Sequence, residues 1–196
     1  ASFSKDNGLF DDEVTAVLER KRGGIVLGHP CGLTFIDGTM QKMAVTDDKQ
    51  LKRILDLAED GAGTLWVAAN EGGLVRIGAD LRKTVFGVKD GLDVQIKSVL
   101  VDRRGRLWVL GNDRIFMRAG DRFEPVHAEV PGSRGYPGFR ILYEASDGTI
   151  YAGTAVFGAI ALEEGKNPKV FAAGAASANN VYSIYKTADS TLYIGA

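Results

Sequence analysis

The chain is poor in the groups that staple, anchor or catalyse. It has one cysteine, Cys31, among 196 residues. No intramolecular disulfide can form, the fold does not depend on oxidation, and a lone thiol suits cytoplasm or periplasm equally. No stretch of about twenty apolar residues marks a membrane span, and no signal peptide is present. The chain starts at Ala1, inside its own pattern, and reads as a segment of a longer protein, so the missing leader excludes nothing. An excess of one charge is also missing. Lys+Arg number 24 and Asp+Glu 25, without a long run of either sign. That argues against a nucleic-acid groove and against direct contact with an anionic membrane. The basic clusters Arg20-Lys21-Arg22 and Arg103-Arg104 with Arg106 fall at equivalent turns and read as solvated.

Catalytic signatures are lacking too. There is no Gly-x-Ser-x-Gly, no phosphate loop, no His-Glu-x-x-His and no Cys-x-x-Cys, so no catalytic residue, cofactor or metal is assigned. His29 and Cys31 could offer two ligands on one loop, but a closed zinc site needs four. They read as a loop histidine beside a bystander thiol. His127 has no acid beside it before Glu129 and reads as a surface or half-buried residue. Asp11-Asp12 and Asp47-Asp48 lack the spacing of a dedicated calcium loop and read as solvated approaches to strands.

What the chain has is repetition. Aligned on Val26, Trp66, Trp108, Tyr151 and Tyr193, five stretches recur with steps of 40, 42, 43 and 42 residues. Three positions before these anchors stand Gly23, Gly63, Gly105, Gly148 and Ser190. The preceding position holds Ile25, Leu65, Leu107, Ile150 and Leu192. Nine before stand Val17, Leu57, Val99, Leu142 and Ile184, and twelve before stand Val14, Ile54, Ile96, Phe139 and Val181. A period in the low forties is that of a four-stranded propeller blade. The 25 glycines suit many short strands joined by tight turns.

The pattern predicts an all-β chain: a β-propeller, an incomplete ring of four whole four-stranded blades and part of a fifth. The repeats run approximately over 10–45, 50–86, 92–126, 136–172 and 179–196, the last partial. First strands are expected at 14–18, 54–58, 96–101, 139–144 and 181–186, and second strands at 25–28, 65–69, 107–111, 150–153 and 192–195. Residues 2–4 are expected to be the last strand of a preceding blade. Taken alone, 49–59 fits a helix, with Leu51, Ile54, Leu55 and Ala58 on one stripe. The equivalent stretches 96–101 and 181–186 are rich in strand formers, and one register implies one structure. Trp66 and Trp108 recur at the anchor, where a large flat ring fills the wedge between blades.

The blocks Gly63-Thr64-Leu65-Trp66-Val67, Gly105-Arg106-Leu107-Trp108-Val109, Gly72-Gly73-Leu74-Val75-Arg76-Ile77 and Lys89-Asp90-Gly91-Leu92 resemble the two-component regulator propeller repeat. Asn7-Gly8-Leu9, Gly32-Leu33-Thr34-Phe35 and Asp147-Gly148-Thr149-Ile150-Tyr151-Ala152-Gly153 extend the likeness over the whole chain. The first copy departs from it, with Val26 where Trp is usual, and the fourth has a longer approach loop, 127–138. The resemblance implies a periplasmic or extracytoplasmic sensor domain, non-catalytic, upstream of a transmembrane helix and a kinase or cyclase output module. It also implies rings of about seven blades. A partial ring is expected to expose two blade faces and to close against the remaining blades or a second copy.

Strands alternate direction within a blade, so loops joining strands two and three share one end of the ring with loops joining successive blades. Propellers commonly bind ligands at such an end. There the sequence places His29, Asn70, Glu71, Asn112, Asp113, Arg114 and Phe157 from the hairpins, and Lys89, Asp90, Arg134 and Tyr136 from the inter-blade loops. This polar and aromatic rim suits a small polar ligand such as a carbohydrate. The alternatives are a propeller enzyme, a lyase or hydrolase for which His29 would be the histidine nearest that end, and a scaffold ring that binds proteins.

Overall fold

The computed structural model describes residues 3–37, 42–45, 51–126, 130, 137–163, 166, 168–172 and 179–196. It is built of strands. The first sheet holds β1 (Ala16–Glu19), β2 (Ile25–Gly28), β3 (Leu33–Ile36) and β4 (Lys42–Val45). The second holds β5 (Ile54–Glu59), β6 (Leu65–Ala69), β7 (Gly73–Ile77) and β8 (Lys83–Phe86). The third holds β9 (Ile96–Val101), β10 (Leu107–Gly111), β11 (Ile115–Ala119) and β12 (Arg122–Val126). The fourth holds β13 (Phe139–Glu144), β14 (Ile150–Thr154), β15 (Ala159–Leu162) and β16 (Lys169–Phe171), and β17 (Ser183–Lys186) pairs with β18 (Leu192–Gly195) in a two-stranded fifth. Every neighbouring pair is antiparallel. The helical alternative for 49–59 gives way to β5, because residues 54–59 hydrogen-bond to β6. Phe3 and Ser4 carry no strand; the chain there leads into a short 3-10 turn, Lys5–Asn7, whose Gly8 and Leu9 amides bond back to Lys5 and Ser4.

The first strand of each sheet packs on the first strand of the next, β1 on β5, β5 on β9, β9 on β13 and β13 on β17. The sheets therefore fan from a common line, which makes the fold a β-propeller. Its apolar core is divided among the wedges. Val26 and Leu33 meet Leu51, Ile54, Leu57 and Val67 between the first two blades. Trp66 and Phe86 meet Leu92, Ile96, Val99 and Phe123 in the next wedge. Trp108 and Leu110 meet Phe139, Leu142 and Ile160, and Tyr151 meets Val181 and Ile184. Trp66 is 1% exposed and Trp108 6%.

Position in the ring, more than residue type, decides burial. Leu57, Val99, Leu142 and Ile184 are buried, yet their counterpart Val17 in the first blade is 65% exposed. Tyr193 is 59% exposed at the place where Trp66, Trp108 and Tyr151 are enclosed. Each of the two terminal blades lacks a neighbour on one side among the described residues.

The turn between a blade's first and second strands is built around an aspartate. Asp102 Oδ1 accepts the Arg104 and Arg106 amides, while Oδ2 accepts the Trp108 indole N–H at 2.9 Å and Arg106 Nε at 2.7 Å. Asp60 does the same for the Ala62 and Thr64 amides and the Trp66 indole. The aspartate stands six residues before each tryptophan. Ahead of Tyr151 that position is Ala145, fully buried. The aligned glycine closes the turn at positive φ, +85° at Gly63 and +78° at Gly105; Ser190 takes +69° in the fifth copy, a strained region for a residue with a Cβ. Partial burial pushes the Asp102 pKa up, but the indole and Arg106 hydrogen bonds and the Arg106 charge outweigh it. The carboxyl is held below its ordinary 3.8.

Basic residues at these turns latch one blade to the next and are not merely solvated. Arg20 donates to Glu59 Oε1 from Nη2 at 2.7 Å and Nε at 3.0 Å, and the Lys21 amide donates to Glu59 Oε2. Glu59 is 4% exposed, so that contact neutralises a buried charge. The Arg103 amide donates to Glu144 and Lys186 pairs with Asp147, while Arg118, at the end of β11, lies over the Trp66 ring of the preceding blade at 5.1 Å.

Trp66→Ala should lower unfolding stability by about 3–5 kcal/mol, whereas Val17→Ala should stay within about 0.5 kcal/mol; urea unfolding of both variants checks this. Asp102 ionises more readily folded than unfolded, so its stabilisation is present above the ordinary carboxyl pKa and lost as pH falls through the lowered one. The stability gap between wild type and Asp102→Asn should therefore be widest at neutral pH and close below about 3.8, as read from urea midpoints across pH.

Candidate functional site

The innermost strands carry the same irregularity three times. The register of β5 against β6 shifts between Ile54 and Asp56, leaving Leu55 as an extra residue. In β9 the shift between Ser98 and Ile96 leaves Lys97, and in β13 the shift between Phe139 and Ile141 leaves Arg140. These are β-bulges, which re-aim a side chain out of the pleat. All three extra residues sit eleven positions before their anchors. The neighbours at twelve and nine before, such as Ile96 with Val99 and Phe139 with Leu142, are buried in the wedges. The bulge frees the residue between them to face the axis.

A cavity of about 560 Å³ opens there. The second blade supplies Arg53, Leu55, Asp56 and Asn70, the third Gln95, Lys97 and Ser98, the fourth Arg140, and the fifth Tyr182. Arg140 lies over the Tyr182 ring at 5.1 Å. Lys97 Nζ donates to Asn112 Oδ1 at 2.7 Å. Burial lowers the Lys97 pKa and the Arg140 charge lowers it further, with Asp113 opposing them. Arg53 reaches Glu71 at 3.6 Å on the open side, both side chains being well exposed. Among the described residues neither Lys97 nor Arg140 forms an ion pair.

Asp56 is the acid of the cavity, and its oxygens are taken. Oδ2 accepts the Ser98 hydroxyl and the Val99 amide, and Oδ1 accepts the Leu57 amide. Burial pushes its pKa up despite those three bonds. Ser98 Oγ in turn accepts the Leu142 amide at 3.2 Å. A polar chain thus runs Asp56–Ser98–Leu142 across three blades along the cavity wall.

The residues expected at this end divide into three groups. Asn70 lines the cavity, and Asn112, with Asp113 bonded to its amide, supports Lys97. Glu71 holds Arg53. Arg114 pairs with Asp93 and stacks on Phe116, Phe157 packs partly buried against the third wedge, and Lys89 is exposed in the short 3-10 turn Val88–Asp90. His29 is fully buried: Nδ1 lies 2.8 Å from the Glu13 carbonyl, Nε2 lies 2.9 Å from Thr34 Oγ1, and Phe10 packs alongside. Both ring nitrogens have protein partners, so a proton-transfer role for His29 would require breaking them. Cys31 is exposed. Arg134, Tyr136, His127 and Asp47-Asp48 lie outside the described residues. Among the described residues no group of three or more His, Cys, Asp or Glu side chains is placed to hold a metal, and no helix is long and apolar enough to cross a membrane.

Lys97 and Arg140 were not singled out from the sequence. Their signal was available: the column eleven before the anchor reads Thr15, Leu55, Lys97, Arg140, Tyr182, with two cations inside otherwise apolar strands.

No family model matches the chain, and no curated protein matches it. Solved structures do. The extracellular domain of BT4673 from B. thetaiotaomicron, described as a hybrid two-component system, superposes with a TM-score of 0.80 at 17% identity, over 96% of this chain and 26% of that one. The corresponding domain of BT3049 gives 0.73 at 17% identity, over 93% and 26%. Virginiamycin B lyase from Staphylococcus aureus gives 0.73 at 14% identity, over 92% and 62%. The chain thus spans between a quarter and two thirds of these three structures. The likeness is one of fold, and it joins extracellular domains of two-component systems and a lyase.

Since the folded pKa of Asp56 is raised, its ionised form costs stability at neutral pH, and that cost fades as pH falls through the raised pKa. Relative to Asp56→Asn, the wild type should gain stability as pH is lowered from 7 toward 3.8, opposite in sign to Asp102; urea midpoints of the pair read this out.

Proposed function

We propose that this chain is the ligand-binding part of an extracytoplasmic sensor propeller in a two-component-type receptor, which reports occupancy to an output module elsewhere in the protein. The observation that carries the reading is the axial cavity, open to solvent and lined by polar side chains from neighbouring blades together with Leu55, Ile141 and Leu142. The likeness to two extracellular domains of hybrid two-component systems supports it. A ligand in the cavity touches the second, third and fourth blades at once, and those blades are joined along the cavity wall by the Asp56–Ser98–Leu142 hydrogen bonds. Binding therefore changes how the blades are held relative to one another. The uncovered faces of the first and fifth blades, at Val17 and Tyr193, accept further blades or a second copy.

A thermal-shift screen of the full-length protein against saccharides and small polar metabolites tests the proposal. A ligand present at about 100 times its Kd should stabilise the propeller by about 2.7 kcal/mol and raise Tm measurably. Absence of a shift from every compound class would remove the ligand-binding reading.

A further inference from the structure

Two cations stand at the same repeat position in adjacent blades, each lifted out of its strand by a bulge, and both line one cavity. Arg140 is exposed and Lys97 half-buried, so water screens this pair only in part. Side by side, Lys97 and Arg140 repel, and burial adds to the cost of the lysine charge. A residue freed from packing at this position need not be charged: the same column holds Thr15 and Leu55 in the first two blades. Among the described residues Asp56 is the acid that lines the cavity, and it forms no ion pair with either cation. Its oxygens are turned to the Ser98 hydroxyl and to the Val99 and Leu57 amides. Glu71 engages Arg53 at the rim, and Asp113 reaches Lys97 only through its field.

Resting on the sensor reading above, we propose that the cavity binds a small ligand carrying a carboxylate, sulfate or phosphate group, with the oxyanion held between Lys97 and Arg140. The guanidinium offers a planar pair of donors to two oxygens, and the ammonium supplies a point charge beside it. Asn112, bonded to Lys97 Nζ at 2.7 Å, fixes that ammonium in place without cancelling its charge. Tyr182 positions Arg140 from the other side through the face of its ring. An anion between the two cations removes their repulsion, so the ligand supplies the counter-charge that the protein omits. The amides of Asn70 and Gln95 remain for neutral hydroxyls on the rest of the ligand.

Isothermal titration of the full-length protein with D-glucuronate, D-glucose, inorganic sulfate and inorganic phosphate tests the assignment. At least one of the three anions should bind, at least tenfold more tightly than glucose, and more weakly as sodium chloride is raised. Lys97→Met and Arg140→Gln should each weaken that binding at least tenfold, Arg140→Lys less, while the Tm of each ligand-free variant stays near wild type. Glucuronate binding ahead of sulfate and phosphate would identify an acidic sugar; equal or tighter binding of an inorganic anion would identify a free oxyanion. The assignment falls if no anion binds, if glucose binds as tightly as glucuronate, or if the anion affinity survives both charge-removing variants. Glucose binding that ignores both variants would overturn the anion while leaving a ligand-binding propeller in place, so the two proposals fail separately.

Discussion

The packing of one blade's face against the next governs this molecule. A four-stranded antiparallel sheet has no interior of its own, and each one here buries its apolar side chains only in the wedges it shares. The large rings stand where the wedge is widest to fill, and their polar edges must be satisfied there. For the two indoles an aspartate of the same blade accepts the N–H and, with its other oxygen, ties down the turn. One carboxylate thus couples local turn geometry to packing between blades. Loss of a wedge is felt at the turn, and loss of the turn is felt in the wedge.

The cavity emerges from the same constraint. Inner strands present apolar residues to the wedges on both sides, which leaves few positions for a long charged side chain facing the axis. The bulge supplies one. It inserts a residue between two buried neighbours and lets its side chain leave the packed layer, so Lys97 and Arg140 coexist with Ile96, Val99, Phe139 and Leu142 on the same short strands. Because the bulge recurs in three blades, the residues it releases converge. A site of several blades is assembled by one local irregularity used repeatedly.

Much of this was legible in the sequence because packing repeats. Apolar columns at twelve, nine and one before the anchor, and the turn glycine at three before, report the same environment five times and gave strands within a residue or two of those observed. The end of the ring that carries the cavity was also legible, since strand direction alone decides it. The particular side chains were not. The cavity lining is not the same from blade to blade, so its residues break the repeat instead of following it: Lys97 and Arg140 differ from Thr15 and Leu55 in the same column. A bulge shifts register without leaving a glycine or proline to mark it. His29 misled for the opposite reason, because a polar residue in a loop was expected at the surface, while Thr34 and the Glu13 carbonyl enclose it. The basic turns misled likewise: their acidic partners lie 38 to 41 residues away in sequence, as with Arg20, Lys21 and Glu59 or Arg103 and Glu144.

The serine in the third blade's innermost strand has a bearing on how such a chain could grow. Ser98 Oγ donates backward to the second blade and accepts forward from the amide of the fourth. A blade with this hydroxyl is compatible with a copy of itself on either side, since each copy would offer what the next one lacks. Ala16 and Ile141, which occupy the matching places in the first and fourth blades, cannot pass such a contact onward. Tandem duplication of the third unit would extend the chain of hydrogen bonds around the ring, whereas duplication of the first or fourth would interrupt it.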